Sequence, residues 1–290
     1  MQYIDDFLEY LKVVKKHSYN TIINYKNDLC EFYHFTCKKI LKVDKELVNS
    51  YLNCLYEKND SKSTVARKLS SLRNFYEYLG KKGIVDVNYF KLVKNPRKDM
   101  ILPKYVVSSD IEKMMQVPDV RGVYGKRNLA IMRLLYATGV RVSELVNIKI
   151  KDIDLSDRTI KILGKGRKER MVVFGHNAKN ALDDYIFNGR GELNKKDSEY
   201  VFLNKDGGRL STRYVRKILD ETIIKASILH HVSPHMLRHT FATEMLNNGA
   251  DLVSVKDLLG HESLNTTSIY THVTDEMIRK VYNNSHPRAK

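Results

Sequence analysis

The sequence predicts a mainly α protein with a small antiparallel β-sheet, an α+β fold in which an N-terminal helical bundle precedes a larger C-terminal domain. Three observations carry this. The first eighty or so residues repeat apolar side chains at helical spacing in four runs. Residues 84–107 lose that period and hold two prolines flanked by lysines and an arginine. Beyond them, alternating runs on either side of a glycine- and lysine-rich turn interrupt further helices.

The first helix is marked by Phe7, Leu8, Leu11 and Val14, and the second, after the polar break His17–Asn20, by Ile22, Tyr25, Leu29, Phe32 and Tyr33. Asp44 is placed to cap a third helix carrying Leu47, Val48, Tyr51, Leu52 and Leu55. A fourth starts near Ser61 or Ser63 and runs through Val65, Leu69, Leu72, Phe75, Tyr76 and Leu79, with Gly80 and Gly83 at its end. Four such helices with short connections make a small bundle, residues 1–83. Asn95-Pro96-Arg97-Lys98 and Leu102-Pro103-Lys104 make residues 84–107 an extended basic linker. The second domain, 108–290, opens with a helix start at Ser109-Asp110 and an apolar helix from Asn128 to Thr138, stopped by Gly139. Strands are predicted from alternation over Ile148–Leu155, Thr159–Leu163 and Met171–Phe174, with a short one at Tyr200–Leu203 before an Asn-Lys-Asp-Gly-Gly turn. Lys165 then falls at the tip of a hairpin. From Ser211 onward the chain reads as helical again.

A formal charge of +16 points to a polyanionic partner, and it is spread as +7 over residues 1–100 and +9 over the rest. Two basic domains suit a grip on one duplex. The 42% of hydrophobic residues suffices for real cores. Cys30, Cys37 and Cys54 are odd in number and match no zinc spacing, so buried reduced thiols are expected. The N-terminus lacks a secretion signal and no apolar run approaches the roughly 20 residues of a membrane span, so a cytoplasmic protein with no membrane partner is expected.

Six residues stand out, each with an ordinary alternative. Ser233-Pro234 is a strong helix start, placing His235 and Arg238 three residues apart on one face, at the end where backbone N–H groups favour an anion. An incidental His and Arg on a capped helix is the plain alternative. His235 and His239 are four apart, but Met236 stands where a zinc hydrolase helix carries Glu, so a metal is rejected. Arg141, in Ala-Thr-Gly-Val-Arg-Val-Ser-Glu-Leu, has a surface salt bridge to Glu144 as its alternative. Lys165, in Gly-Lys-Gly-Arg-Lys-Glu-Arg, sits in a loop that is usually just solvated. His261 after Leu-Leu-Gly is equally suited to capping, and Tyr270 is one of 18 tyrosines.

Taken jointly, the wording and order around all six positions resemble the tyrosine recombinases, the integrase-type enzymes that cut and rejoin DNA. The matching phrases are Thr-Gly-Val-Arg-Val-Ser-Glu-Leu, Gly-Lys-Gly-Arg-Lys-Glu-Arg, His-Met-Leu-Arg-His-Thr-Phe-Ala-Thr, Leu-Leu-Gly-His and Tyr-Thr-His. The likeness extends to Asn20-Thr21 through Asp28-Leu29 and to Arg67-Lys-Leu-Ser through Leu79, and the closing His286-Pro-Arg-Ala is similar to the Xer branch. The resemblance implies a core-binding, SAM-like first domain and a recombinase catalytic domain that together clamp DNA. It implies that Tyr270 is the nucleophile, Arg141 and Arg238 hold the phosphate, His235 assists proton removal, Lys165 is the general acid and His261 completes the hydrogen bonding. No metal, cofactor or ATP is implied, and no Gly-x4-Gly-Lys-Ser/Thr loop is present. The implied partners are a two-armed double-stranded DNA site, a homo-tetramer or a hetero-tetramer with a paralogue, and a DNA translocase as activator. The last helix, from Thr274-Asp275-Glu276 through Met277, Ile278 and Val281, packs on its own domain or, as the family's tail does, on a neighbouring subunit. Rival readings are a phage or mobile-element integrase, a type IB-like topoisomerase, a DNA-binding regulator without catalysis, and a metal nuclease using Asp152 and Asp154.

Overall fold

The computed structural model describes residues 1–96, 105–164, 169–260 and 281–288. It divides into two compact units, Met1–Ile101 and Leu102–Lys290.

The first unit holds α1 (Gln2–Val13), α2 (Tyr19–Phe35), α3 (Lys45–Glu57) and α4 (Lys62–Lys81). Asp44 and Ser61 cap α3 and α4 as expected, accepting the backbone N–H of Leu47 and Thr64, and Ser18, inside the predicted polar break, caps α2 by accepting from Thr21. Ser61, rather than Ser63, is the cap of α4. The apolar faces meet in one core of Ile4, Phe7, Leu29, Phe32, Tyr51, Leu55, Leu69, Leu72 and Phe75. Val14 lies just past the end of α1 and is exposed, while Ile4, one turn before Leu8, takes the inward place. Polar ties fix α2 to α4, since Asp28 is buried and accepts from the Ser71 hydroxyl at 2.7 Å and from Arg67.

Residues 84–93, expected as the start of an extended linker, fold back onto this bundle. Tyr89–Leu92 is a short 3-10 turn and Phe90 is fully buried in the core. The cause is Arg73 on α4, whose guanidinium donates to the Phe90 carbonyl at 2.9 Å, to the Val93 carbonyl at 2.6 Å and to Asn95 Oδ1 at 2.7 Å. A buried phenylalanine contributes about 2–3 kcal/mol, a gain that periodicity alone does not reveal. The basic stretch 97–104 lies outside the described residues.

The second unit centres on α6 (Val123–Thr138), whose Ala130, Ile131, Leu134 and Leu135 are all buried. It begins five residues before the predicted Asn128, and α5 (Ser108–Gln116) precedes it. Gly139 ends α6 in a left-handed conformation, φ +59°. After α7 (Val142–Leu145) come β1 (Ile153–Asp154), β2 (Thr159–Leu163) and β3 (Glu169–Val173), an antiparallel sheet in the order β1-β2-β3. The strand predicted over 148–155 shrinks to β1, because residues 150–152 form a 3-10 turn in which Asp152 accepts the Lys149 N–H at 3.0 Å. Asp154 likewise accepts the Asp157 N–H at 2.7 Å. Both carboxylates of the metal-nuclease reading therefore serve turns. Tyr200–Leu203 contributes only single bridges, Tyr200 with Lys149 and Leu203 with Arg209.

The helices α8 (His176–Asn188), α9 (Arg190–Leu193), α10 (Thr212–Lys225), α11 (Pro234–Asn247) and α12 (Leu252–Leu259) follow. Ser233 caps α11, as predicted, and Ser211, where the helical reading resumes, caps α10. Leu237, Phe241 and Met245 turn into the core. Residues 281–285 are helical, and Tyr282 is buried with Val173, Phe241, Met245, Leu258 and Leu259 of the same unit. Most of the expected tail helix, Thr274 through Ile278, lies outside the described residues; of its apolar face, Val281 packs with Tyr282 on this unit. The three cysteines are free thiols but not buried: Cys37 is exposed in the turn after α2, and Cys30 and Cys54 are half-buried. Among the described residues no helix is long and apolar enough to cross a membrane.

Candidate active site

Three of the six expected residues lie within the described residues, all in the second unit. Arg141 caps α7, Arg238 sits in the second turn of α11, and His235 is exposed in the first turn of that helix. Lys165, His261 and Tyr270 lie outside the described residues. β2 and β3, on either side of residues 164–168 in the sequence, pair antiparallel.

What gathers the cations is the C-terminal end of α12. A helix leaves its last carbonyls without intrahelical donors, and its dipole makes that end negative. Here three successive carbonyls each receive a guanidinium. Arg170 Nε donates to Leu258 at 3.2 Å, Arg238 Nη2 to Leu259 at 2.6 Å, and Arg141 Nη2 to Gly260 at 3.3 Å. Arg238 Nη1 also donates to the Gly139 carbonyl at 2.6 Å, which joins the end of α6 to the end of α12. Both glycines are in left-handed conformations, φ +59° at Gly139 and +65° at Gly260. A Cβ on Gly139 would stand 2.7 Å from the Phe241 ring, so glycine is required there by space as well as by backbone.

A single carboxylate holds this set together. Glu144 accepts the Arg141 backbone N–H at 2.8 Å and its Nη1 at 2.9 Å, and Arg170 Nη1 and Nη2 at 3.0 and 2.8 Å. The Arg141–Glu144 pair was expected at the surface, but only 5% of the Glu144 side chain is exposed. Burial alone would raise its pKa; the hydrogen bonds from Arg170 and from the Arg141 backbone and side chain outweigh burial and hold it below the usual range. Arg238 is 8% exposed, and burial first, then the charges of Arg141 and Arg170, lower its pKa to about 10 against the pull of Glu144. It is still a cation at neutral pH.

Three guanidiniums against one carboxylate leave a local excess of positive charge beside the N-terminal turn of α11. Arg141 keeps 35% of its side chain exposed, so this charge is reachable from outside. Such a seat matches the oxygens of a phosphodiester, and planar donors suit it better than a point charge would. Glu144 and Arg170 are the members that motif reading passed over. Both lie inside the phrases that flagged Arg141 and Lys165, and the spacing of Glu144 three residues after Arg141 was the available signal. Among the described residues no cluster of histidine, cysteine and carboxylates suited to a metal ion occurs.

The phage integrase family profile matches residues 104–277, and the profile of the phage integrase N-terminal SAM-like domain matches residues 4–83. Tyrosine recombinase XerC of Oceanobacillus iheyensis is 45% identical, covering 99% of this chain and 96% of its own. XerC of Bacillus subtilis is 42% identical, covering 98% and 95%. Among solved structures, the XerA recombinase is 30% identical with a TM-score of 0.52, covering 99% of this chain and 100% of that one. A XerH recombinase bound to its difH substrate has a TM-score of 0.71 at 24% identity, covering 97% and 83%, which speaks to fold alone.

Proposed function

The chain belongs to the phage integrase family and is a Xer-type tyrosine site-specific recombinase, and from that premise we propose how its own residues cut and rejoin DNA. The observation that carries the proposal is the gathering of Arg141 and Arg238, with His235 on the same helix as Arg238, around one carboxylate and the last carbonyls of α12.

In the proposed reaction the scissile phosphate sits against Arg141 and Arg238. The Tyr270 oxygen attacks phosphorus while the bond to the 5′ oxygen breaks. The phenol, whose ordinary pKa is about 10, needs a proton acceptor at neutral pH, and His235 takes that role. Lys165 protonates the departing 5′ oxygen as general acid, and His261 adds a hydrogen bond to the phosphate. The two arginines stabilise the charge that builds on the five-coordinate phosphorus. The products are a 3′-phosphotyrosine link and a free 5′ hydroxyl. That link retains the bond energy, so the 5′ hydroxyl of a partner strand reverses the step and no nucleotide is consumed.

The assembly we propose is a tetramer, of this chain alone or with a paralogue, on two two-armed duplex sites, exchanging strands in pairs through a four-way junction. A DNA translocase is the proposed activator. Full-length similarity to XerC recombinases supports chromosome or plasmid dimer resolution over a mobile-element integrase. The test is capture of covalent adducts from fragmented host DNA, sequenced after denaturation, with Tyr270→Phe in parallel. Adducts at one two-armed locus that vanish in the variant are the expected result. Adducts that persist in Tyr270→Phe would remove Tyr270 as nucleophile, and adducts at a mobile-element end would favour the integrase.

A further inference from the structure

The mechanism above uses Arg141 and Arg238 but has no part for Arg170, although Arg170 has the most fully built surroundings of the three. It is the second residue of β3, five residues after Lys165 in the sequence, and pairs in register with Ile162 of β2. Directly opposed residues of an antiparallel pair share a face, so Arg170 lies on the same side of the sheet as the fully buried Ile162. There its side chain is 14% exposed. Both terminal nitrogens are spent on the two oxygens of Glu144, at 3.0 and 2.8 Å, and Nε on the Leu258 carbonyl at 3.2 Å. Backbone closes over it as well, since a Cβ on Gly260 would lie 3.2 Å from its Cδ and Nε.

We infer that Arg170 is a positioning residue for strand cleavage. It acts through Glu144 to set the orientation and charge balance of Arg141, and it anchors the strand leaving the Lys165 connection to the end of α12. The inference rests on the recombinase reading above. Glu144 divides its bonds between the two arginines. With Arg170 in place, the carboxylate is neutralised from the far side and takes one side-chain donor from Arg141; a second goes to the Gly260 carbonyl, and the other N–H groups of that guanidinium are left for a phosphate. Without Arg170, the buried carboxylate has Arg141 as its remaining strong counter-charge and competes with the phosphate for it. A lysine at 170 keeps the charge but not the fork, and a point charge cannot span both Glu144 oxygens and the Leu258 carbonyl at once.

The test is single-turnover cleavage of a nicked duplex carrying the site found by adduct capture, with duplex affinity and thermal unfolding measured on the same proteins. The proteins are wild type, Arg170→Lys, Arg141→Lys and the double variant. Arg170→Lys is expected to slow adduct formation by about 100-fold, the scale of a small misplacement at a reacting centre, while affinity and melting temperature hold. The double variant is expected to be no slower than Arg141→Lys alone, because one residue acts through the other. Wild-type cleavage by Arg170→Lys would overturn the inference. So would losses that multiply in the double variant, or a rate that falls in step with affinity and melting temperature. A wild-type chain that forms no adduct would overturn the recombinase reading, and this inference with it.

Discussion

Each residue of the cation cluster depends on backbone that only a few neighbours can supply. Gly139 gives its carbonyl to Arg238 from a left-handed conformation and has an aromatic ring where a side chain would stand. Gly139→Ala should therefore destabilise the second unit by about 2 kcal/mol or more in urea unfolding, and should lower cleavage further by moving the acceptor of Arg238. An equally stable and active Gly139→Ala would show that the backbone and the Phe241 ring yield to a methyl group without cost. Arg141, His235 and Arg238 were legible in the sequence because short phrases around them are distinctive. Glu144 was legible as a partner of Arg141 but not as a buried hub. Its second guanidinium comes from β3, 26 residues away, both its arginines are tied to the end of α12, 88 or more residues further still, and no local pattern reports on that.

At the scale of elements, the caps Asp44, Ser61 and Ser233 were legible because a serine or aspartate N-cap is a local matter. The strands were read less well. Ile148, Ile150 and Ile153 alternate with polar residues, yet a turn held by Asp152 interrupts them. The sequence leaves the tail between two packings, and the resemblance tilts it toward a neighbouring subunit. Thr274 through Ile278 lie outside the described residues, and Tyr282 and His286 beyond them pack on their own unit. There His286 stacks on Tyr282 with ring centroids 4.8 Å apart and meets Tyr136 and Phe241. Burial foremost, helped by the charge of Arg288 and opposed by a hydrogen bond with the Tyr136 backbone, lowers its pKa to about 4. An unfolded histidine titrates near 6.5. Between those values the unfolded chain binds a proton that the docked ring refuses, so stability is greatest above about pH 6.5 and falls as pH drops toward 4. Thermal unfolding of His286→Phe should lose less melting temperature between pH 7 and pH 5 than the wild type. Equal slopes would show that His286 is not the group responsible. Removing residues 275–290 also strips Tyr282 from this core, so a truncation reports on folding as well as on assembly.

At the scale of the whole molecule, the excess charge of +16 is shared by both units rather than held in one arm. Affinity for a duplex should then fall steeply with salt, by about 10³ to 10⁵ between 50 and 200 mM if six to ten phosphates are neutralised. Titrations of the full chain and of Met1–Ile101 at several salt concentrations measure the slope. A shallow slope for the full chain would place the basic residues away from DNA. Cleavage should also proceed unchanged in EDTA, since every cation in the proposed reaction is a side chain; inhibition by EDTA would return a metal to the mechanism. The two-unit organisation was legible from the loss of helical period, but the edge of the first unit was not. Arg73 draws residues 88–95 onto α4 through contacts that span 15 to 22 residues.

The last turn of α12 carries a consequence for how substrate and folding talk to each other. Its three carbonyls are met by arginines from α7, β3 and α11, so that turn is the hub on which three separate pieces of the chain converge. A ligand that binds only the converged arrangement must, by linkage, stabilise the turn that creates it. Hydrogen exchange at the amides of Lys256–Gly260 should accordingly slow when a phosphodiester occupies the seat, although no atom of the DNA need touch α12. Fraying of that turn would disperse the cations and disarm the protein without unfolding it, a resting state that costs one helical turn.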